Sequence, residues 1–179
     1  YVGAIGKIVD IHEDMEKMNH LEVMAAHDSL TGLLNHKAAK AQIISRLNED
    51  EEKKFLLLIF DLDHFKLAND TYGHLFGDEV LKFVSDKLRN NTRPVDIVAR
   101  MGGDEFLIFM PYKDEIEPPV KRIFRLLSTR YEKFNISVSM GISCAKDCAG
   151  SYDTLFHMAD EALYEVKRGG RNNYCFYHK

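Results

Sequence analysis

The pattern of apolar and polar positions predicts a strand and two helices in the first part of the chain. Tyr1 to about Asp10 predicts a short strand, after which apolar residues recur every three or four positions, as in a helix. The narrow apolar stripe of that helix fits either a coiled coil or a helix packed on its own domain. The polar segment 27–36, HDSLTGLLNH, predicts a turn or linker, and a second helix is expected from about His36 to Leu47.

The middle of the chain contains the most apolar run. Phe55–Phe60, FLLLIF, predicts a strand that is buried on both faces, and an amphipathic helix is predicted over 77–91. Two further strands, Asp96–Met101 and Phe106–Met110, flank Gly102-Gly103. A Gly-Gly loop between two apolar runs predicts a hairpin, because both glycines can take positive φ.

The last part of the chain continues the alternation of helices and strands. A helix from Pro118 to about Tyr131, a strand over Ile136–Ser143, a helix over Ser151–Arg168 and a final strand in NYCFY are predicted. A hairpin embedded among alternating elements predicts an α+β fold with a largely antiparallel sheet and helices beside it.

Composition and charge exclude several classes of protein. The net charge of −4 provides no electrostatic basis for binding a nucleic-acid polymer. No apolar run approaches the roughly 20 residues that span a bilayer, so we expect no direct membrane contact. Three cysteines argue against a disulfide framework and predict a reducing, cytoplasmic environment. A start at Tyr1 rather than Met suggests a piece of a longer protein.

Paired carboxylates at the predicted hairpin raise the question of metal chemistry. Asp61 ends the buried strand, and Asp104 and Glu105 follow the two glycines, so three carboxylates can meet at one edge of the sheet. Oxygen ligands without His or Cys suit Mg²⁺, which also binds substrate phosphates. Such a site serves phosphoryl or nucleotidyl transfer. The alternative is a solvated hairpin tip whose acids face water.

Two other segments carry candidate ligands for a nucleotide. The run FDLDHFKLANDTYGHLFGDE is too polar for an ordinary connection, and Asn and Asp side chains can bind the edge of guanine. Lys167 and Arg171 close the predicted last helix. They can bind phosphates, or they can be ordinary cations at a helix C-terminus.

Five separated stretches resemble the GGDEF domain, the catalytic domain of bacterial diguanylate cyclases. They are DSLTGLLN at 28–35, DLDHFKLANDTYGHLFGDE at 61–79, RPVDIVARMGGDEF at 93–106, SMGIS at 139–143 and ADEALYEVKRGGRN at 159–172. The resemblance implies a five-stranded, largely antiparallel central sheet flanked by helices, as in nucleotidyl cyclases and polymerase palms. It also implies that two GTP molecules condense to cyclic di-GMP, a bacterial second messenger, with release of pyrophosphate at a homodimer interface.

Site residues follow from the resemblance, position by position. Asp61, Asp104 and the Leu62 carbonyl would ligate Mg²⁺, with Mn²⁺ as a substitute, and Glu105 would support the metal or deprotonate the attacking 3′-hydroxyl. The residues implied for GTP are Asn69 and Asp78 on guanine, and Lys66, Lys167, Arg171 and the backbone near His64 and Phe65 on the phosphates.

The resemblance also implies regulation by product. Arg93 and Asp96 have the RxxD spacing of the family's inhibitory site for cyclic di-GMP, although they can also be a surface pair. A second arginine, Arg122 or Arg125, would complete that site, and the choice stays open. His36 and Met101 depart from the usual family residues but are not implied as ligands.

The domain organisation implied is a catalytic unit over 28–179, preceded by residues 1–27, which resemble the end of a PAS sensor domain and a signalling helix. Without an upstream sensor we expect the fragment to be mostly monomeric and weakly active. The alternative function is a catalytically inactive GGDEF domain that acts as a receptor for GTP or cyclic di-GMP. The intact acids and glycines at the hairpin favour the enzyme.

Overall fold

The computed structural model describes residues 25–49, 54–147 and 151–178. The strand and helix predicted within residues 1–24, and with them the PAS-like segment, lie outside the described residues. Among the helices that are described, none has the length and apolarity needed to cross a bilayer.

Strands and helices alternate along the described ranges, as the apolar pattern predicts. The strands are β1 (Leu34–Asn35), β2 (Phe55–Leu62), β3 (Ile97–Gly102), β4 (Glu105–Pro111), β5 (Thr129–Tyr131), β6 (Phe134–Ile136), β7 (Val138–Cys144) and β8 (Asn173–Phe176). The α-helices are α1 (His36–Glu49), α2 (Phe65–Tyr72), α3 (His74–Asn91), α4 (Glu117–Leu127) and α5 (Tyr152–Arg168), and a short 3₁₀ helix covers Ala145–Asp147.

The main sheet has six strands in the order β1-β3-β4-β2-β7-β8. The three central pairings are antiparallel, and the two edge pairings, β1 with β3 and β7 with β8, are parallel. The predicted α+β class with a largely antiparallel sheet is therefore confirmed. The strand beyond the expected five is β1, which is only two residues long and pairs with β3 at the edge.

The two faces of the sheet are covered by different helices, which explains why β2 is continuously apolar. Leu56, Leu58 and Phe60 pack in the cluster that contains the apolar faces of α3 and α4. Leu57 and Ile59 pack in the cluster that contains α1 and α5. Successive side chains of a strand point to opposite faces, so a strand between two helical layers needs apolar residues at every position. By the same alternation, Asp61 belongs to the face of α5.

Two predicted boundaries were wrong. The helix expected to reach Tyr131 ends at Leu127, and the chain then forms a separate hairpin of β5 and β6. Glu132 takes a positive φ of 48° in the turn of that hairpin, and Tyr131 packs its ring against Phe76 and Phe83 of α3. Tertiary contacts of Tyr131 thus override the helical spacing of the apolar residues, which continued past the true helix end.

The second wrong boundary concerns the hairpin of β3 and β4, which carries Asp104 and Glu105. Gly102 is the last residue of β3, and the turn consists of Gly103 and Asp104 rather than of the two glycines. The register between β3 and β4 shifts between Arg100 and Gly102, as in a bulge. Gly102 and Gly103 have φ of 147° and 53°, values that other residues adopt rarely. The bulge moves Asp104 into the turn itself.

Candidate active site

Asp61 and the hairpin turn meet at one end of the central strands. Asp61 lies opposite Glu105 in the β2–β4 ladder, and the backbone N–H of Leu62 donates to the Asp104 carbonyl over 3.3 Å. The turn between β3 and β4 is therefore bonded directly to the end of β2. This contact places the two acids that the sequence singled out beside each other.

The electrostatics of the two acids confirm their proximity. Burial raises the pKa of Asp104 above its ordinary value, and the negative charge of Asp61 raises it further; a backbone hydrogen bond and the charges of Lys167 and Arg100 offset this only in part. A partly buried carboxylate beside a second carboxylate favours the binding of a cation.

Asp61 has one paired and one unpaired oxygen. Its Oδ2 lies 2.5 Å from the ammonium of Lys167, at the C-terminal end of α5. Its Oδ1 is buried and accepts no hydrogen bond from any residue that the structure describes. A buried carboxylate oxygen without a donor is costly unless a cation satisfies it. The unpaired oxygen and the neighbouring Asp104 carboxylate fit a hard divalent ion such as Mg²⁺.

Glu105 differs from the other two acids. It is exposed, although its place opposite Asp61 puts its side chain on the same face of the sheet. Within the described ranges, no three His, Cys, Asp or Glu side chains are grouped so that they could hold one ion. The structure thus brings together two carboxylates, and the third, with the Leu62 carbonyl, stays a prediction.

Arg100 fixes the hairpin turn through hydrogen bonds to the turn's backbone, a role that the sequence did not reveal. Its Nε and Nη2 donate to the Gly103 carbonyl over 3.0 and 2.7 Å, and its Nη1 donates to Asp28. Burial raises the pKa of Asp28, but hydrogen bonds from Thr31 and Arg100 outweigh burial and leave the pKa below its ordinary value. The only signals in the sequence were an acid in DSLTGLL and an arginine just before the glycines.

The N-terminus of α2 follows directly after β2. His64 precedes α2 in a left-handed conformation, with φ of 59°, and its side chain makes no capping hydrogen bond. Phe65 is buried and anchors the first turn, while Lys66 is exposed. Backbone N–H groups in the first turn of a helix have no partner within the helix, so they are available to an anion beside Lys66.

Asn69 and Asp78 lie on adjacent helices, and the glycine that precedes Asp78 contacts Asn69. A Cβ at Gly77 of α3 would lie 1.9 Å from Oδ1 of Asn69, so the amide of Asn69 rests on the bare backbone of that glycine. Oδ1 of Asn69 is buried and accepts no hydrogen bond in the part of the chain described here. Gly77 immediately precedes Asp78, which is half-buried. Gly77 is a second residue whose role sequence reasoning missed.

Arg171 lies beyond the end of α5, in a strained turn. Gly170, Arg171 and Asn172 all have positive φ, of 113°, 66° and 46°. The backbone N–H of Arg171 closes the helix end by donating to the Val166 carbonyl over 3.0 Å. Lys167, one turn earlier, is the cation that contacts Asp61. One of the residues predicted to bind phosphates therefore lies directly beside the acidic pair.

Arg93 and Asp96 form a separate cluster at the other end of β4. Arg93 donates to Asp96 through its backbone and its guanidinium and also bonds the Pro111 carbonyl. The Asp96 side chain is fully buried, whereas 55% of the Arg93 side chain is exposed. The six residue steps of β4, from Glu105 to Pro111, separate this cluster from the hairpin turn by about 20 Å.

An open cleft adjoins this cluster. The cleft has a volume of about 750 Å³ and is lined by Arg93 and Arg122, among other residues. Arg125 lines a neighbouring cleft that does not include Arg93. Of the two arginines left open by the sequence, Arg122 is the one that shares a cleft with Arg93.

Comparisons with known proteins identify the class to which this fold and site belong. A sequence model described as "Diguanylate cyclase, GGDEF domain" matches residues 25–173. The crystal structure of the coiled coil and GGDEF domain of DgcB from Caulobacter crescentus, in complex with c-di-GMP, superposes with a TM-score of 0.85 at 30% identity and covers 95% of both chains. The chain therefore belongs to the GGDEF family.

Individual relatives carry different activities in their names. The chain is 35% identical over 86% of its length to the diguanylate cyclase DgcP of Pseudomonas aeruginosa, and 33% identical over 94% to the cyclic di-GMP phosphodiesterase PdeR of Escherichia coli. The chain spans about a quarter of the length of each, 25% of DgcP and 26% of PdeR. Membership of the family therefore leaves the activity of this chain to be argued from its own residues.

Proposed function

We propose that this chain is a diguanylate cyclase, which condenses two GTP molecules into cyclic di-GMP and releases two pyrophosphates in a reaction that depends on a divalent cation. The observation that carries the proposal is the acidic pair: the unpaired, buried Oδ1 of Asp61 beside the Asp104 carboxylate. A pair of acids at the end of β2 would be destabilising without a cation to bind. Asp61, Asp104 and the Leu62 carbonyl would hold Mg²⁺ or Mn²⁺.

The reaction needs two copies of the chain. Each copy presents one GTP, and each 3′-oxygen attacks the α-phosphorus of the GTP on the partner. Two P–O bonds to pyrophosphate break while two ester bonds form, and two hydroxyl protons are released. A two-fold arrangement of two half-sites satisfies this symmetry, and most of the rate would come from positioning and electrostatics.

The residues around the acidic pair have complementary roles in this scheme. When bound, the divalent cation would neutralise charge on the triphosphate and lower the pKa of the attacking hydroxyl. Lys167 contacts Asp61. Together with Arg171 and Lys66, it would place positive charge around the phosphates of GTP. Glu105 is exposed on the same face as Asp61 and is our candidate to accept the hydroxyl proton.

Binding of GTP uses the first turn of α2 and the amide that rests on Gly77. The phosphates would meet the uncapped N–H groups after His64 and Phe65. Asn69 and Asp78 would bind guanine, with the amide oxygen accepting from the base and the carboxylate accepting from its N–H groups. The unpaired, buried Oδ1 of Asn69 supports this assignment, because it is an unused acceptor that rests on Gly77, the residue before Asp78.

We also propose that Arg93 and Arg122 bind cyclic di-GMP and inhibit the enzyme. Arg93 is oriented by Asp96, so its guanidinium is held in place before any ligand arrives. The cleft that it shares with Arg122 offers two cations for the phosphates of a dinucleotide. DgcB, a structural neighbour, was crystallised with c-di-GMP. A cytoplasmic location and the unit boundary near residue 28 stay predictions of the sequence.

A direct assay separates the enzyme from an inactive receptor. The protein, as it stands and fused to a dimeric coiled coil, is incubated with GTP and Mg²⁺ or Mn²⁺, and the nucleotides are separated by chromatography. We expect cyclic di-GMP from the parent and at least about a hundredfold less from Asp104→Asn. Asp160→Asn, a change of an exposed acid on α5, is the matched control and should stay active.

The outcomes distinguish the two functions. Formation of cyclic di-GMP that is lost only in the Asp104 variant supports the cyclase. If the dimeric fusion binds GTP or cyclic di-GMP but makes no product, the receptor is correct and the enzyme proposal is wrong.

A further inference from the structure

A buried carboxylate, Asp63, lies between the acidic pair and the turn that carries Arg171. Only 5% of Asp63 is exposed. It accepts hydrogen bonds from the hydroxyls of Ser137 and Ser139, over 2.9 and 2.7 Å, and from the backbone N–H of Asn172 over 3.0 Å. In addition, the backbone N–H of Asp63 donates to the Ser137 carbonyl over 2.9 Å. The scheme above assigns no chemistry to this residue.

These contacts connect three parts of the chain that are distant in sequence. Asp63 follows β2 and immediately precedes His64, so its position fixes the start of α2. Ser137 immediately precedes β7 and Ser139 is its second residue, and β7 lies between β2 and the edge strand β8. Asn172 follows Arg171 in the turn after α5. The Asp63 carboxylate therefore links two segments of the proposed site. One is the loop after β2, which would bind the metal and phosphates, and the other is the turn after α5, which would bind the phosphates from the opposite side.

The turn after α5 needs an external acceptor. Three consecutive residues with positive φ, two of them not glycine, are unfavourable for an isolated chain. Residues persist in such conformations only when surrounding contacts hold them. The hydrogen bond from the Asn172 N–H to Asp63 is such a contact, and it acts one residue away from Arg171.

We propose that Asp63 is a positioning residue that sets the distance between the two phosphate-binding segments of the site, and so makes the site selective for a nucleoside triphosphate over a monophosphate. This inference rests on the proposed binding of GTP. Asp63 acts through Arg171 and the first turn of α2. A carboxylate accepts from all three partners at once. An amide would replace one acceptor oxygen by N–H groups, so one serine hydroxyl would have to stop donating to residue 63, and the negative charge would be lost.

The test compares the affinity for GTP with the affinity for GMP. Purified parent and Asp63→Asn protein are titrated with Mg²⁺ and 3′-deoxy-GTP, which lacks the attacking hydroxyl and cannot react, and separately with GMP. We expect Asp63→Asn to weaken binding of the triphosphate by about 10- to 100-fold, the range seen when an outer hydrogen-bond partner of a site is removed. Binding of GMP should change less than threefold.

Two serines of β7 provide a milder, matched pair of variants in case Asp63→Asn fails to fold. Ser139→Ala removes a donor to Asp63, whereas Ser143→Ala removes an equally buried hydroxyl on the same strand that donates to the Leu155 carbonyl over 2.7 Å. Ser139→Ala should weaken binding of the triphosphate, and Ser143→Ala should not. A double variant, Ser139→Ala with Arg171→Ala, should lose less affinity than the sum of the two single losses, because the serine acts in part through that turn.

The outcomes separate this inference from the proposed function. If the parent binds neither nucleotide, both proposals are wrong. If the parent binds the triphosphate and the Asp63 and Ser139 variants bind it equally well, or lose both nucleotides in parallel, the positioning role is overturned while the proposed function stands. Additive losses in the double variant would also overturn it.

Discussion

Replacing Gly77 with alanine should damage the proposed guanine site while leaving the fold intact. The new Cβ would lie 1.9 Å from Oδ1 and 2.9 Å from Cγ of Asn69, and 3.1 Å from the tip of the Phe65 ring. Nonbonded carbon and oxygen atoms do not approach this closely, so the amide of Asn69 must move by more than about 1 Å. The amide is the end of a side chain, so it can yield without moving either helix.

The magnitude follows from two opposing effects. Alanine is favoured over glycine in a helix interior by about 1 kcal/mol, which offsets the cost of displacing the amide. Stability should therefore change by less than about 1 kcal/mol. Loss of the hydrogen bonds between Asn69 and guanine costs about 1–3 kcal/mol, which corresponds to a roughly 5- to 150-fold rise in the Kd for GTP.

The assay measures the Kd for 3′-deoxy-GTP and the melting temperature of four proteins: the parent, Gly77→Ala, Asn69→Ala and the double variant. The double variant should bind about as well as Asn69→Ala, because the alanine at 77 acts mainly through that amide and presses only slightly on the Phe65 ring. Gly141→Ala is the contrasting control. There a Cβ would lie 2.0 Å from the Ala159 carbonyl oxygen, in the backbone of α5, which cannot yield, so the melting temperature should fall by several degrees or more.

Two results would refute this reasoning. A folded Gly77→Ala protein with an unchanged Kd would mean that the position of the Asn69 amide does not matter for the base. A melting temperature as low as that of Gly141→Ala would mean that the helices, and not the side chain, absorb the clash.

The remaining predictions concern the two ends of β4. The pKa of Asp28 lies below its ordinary 3.8, so its bonds stabilise the fold above about pH 4 and are lost as the pH falls through the lower folded value. Asp28→Asn should lower the melting temperature by about 2–8 °C at pH 7, and a gap that does not narrow as the pH is lowered from about 4 would contradict this origin. Asp104 has a raised pKa, so its ionised form is disfavoured by the fold at neutral pH. In chelator at pH 7, Asp104→Asn should therefore melt at a higher temperature than the parent although the proposed cyclase activity is lost, and a lower melting temperature would count against the acidic pair. For product inhibition, Arg93→Ala and Arg122→Ala should raise the inhibitory concentration of cyclic di-GMP by at least about tenfold, whereas Arg125→Ala should leave it within a factor of two; equal effects of all three would show that charge alone is sensed.

Local patterns were sufficient for most of the fold. The continuous apolar run of β2 and the helical periodicity of α3 and α5 each predicted the right element, because burial between two helical layers leaves a direct mark on composition. The helix after Pro118 was predicted too long because β5 and β6 form on contacts of Tyr131 with α3, which lie far away in sequence. The shift of the hairpin turn by one residue has a similar cause, since a bulge depends on its partner strand.

The candidate ligands were also readable from the chain, because carboxylates, amides and cations carry their chemistry wherever they are placed. The sequence alone therefore determined which acids, amides and cations are candidates for binding a nucleotide, and which segments form most of the strands and helices. Only the tertiary structure decided how these groups are held: Arg100 behind the turn, Gly77 beneath the Asn69 amide, Asp63 between two loops, and Arg122 rather than Arg125 beside Arg93. Each of these contacts joins residues from different elements, and a distance across the fold leaves no periodic signal in a single sequence.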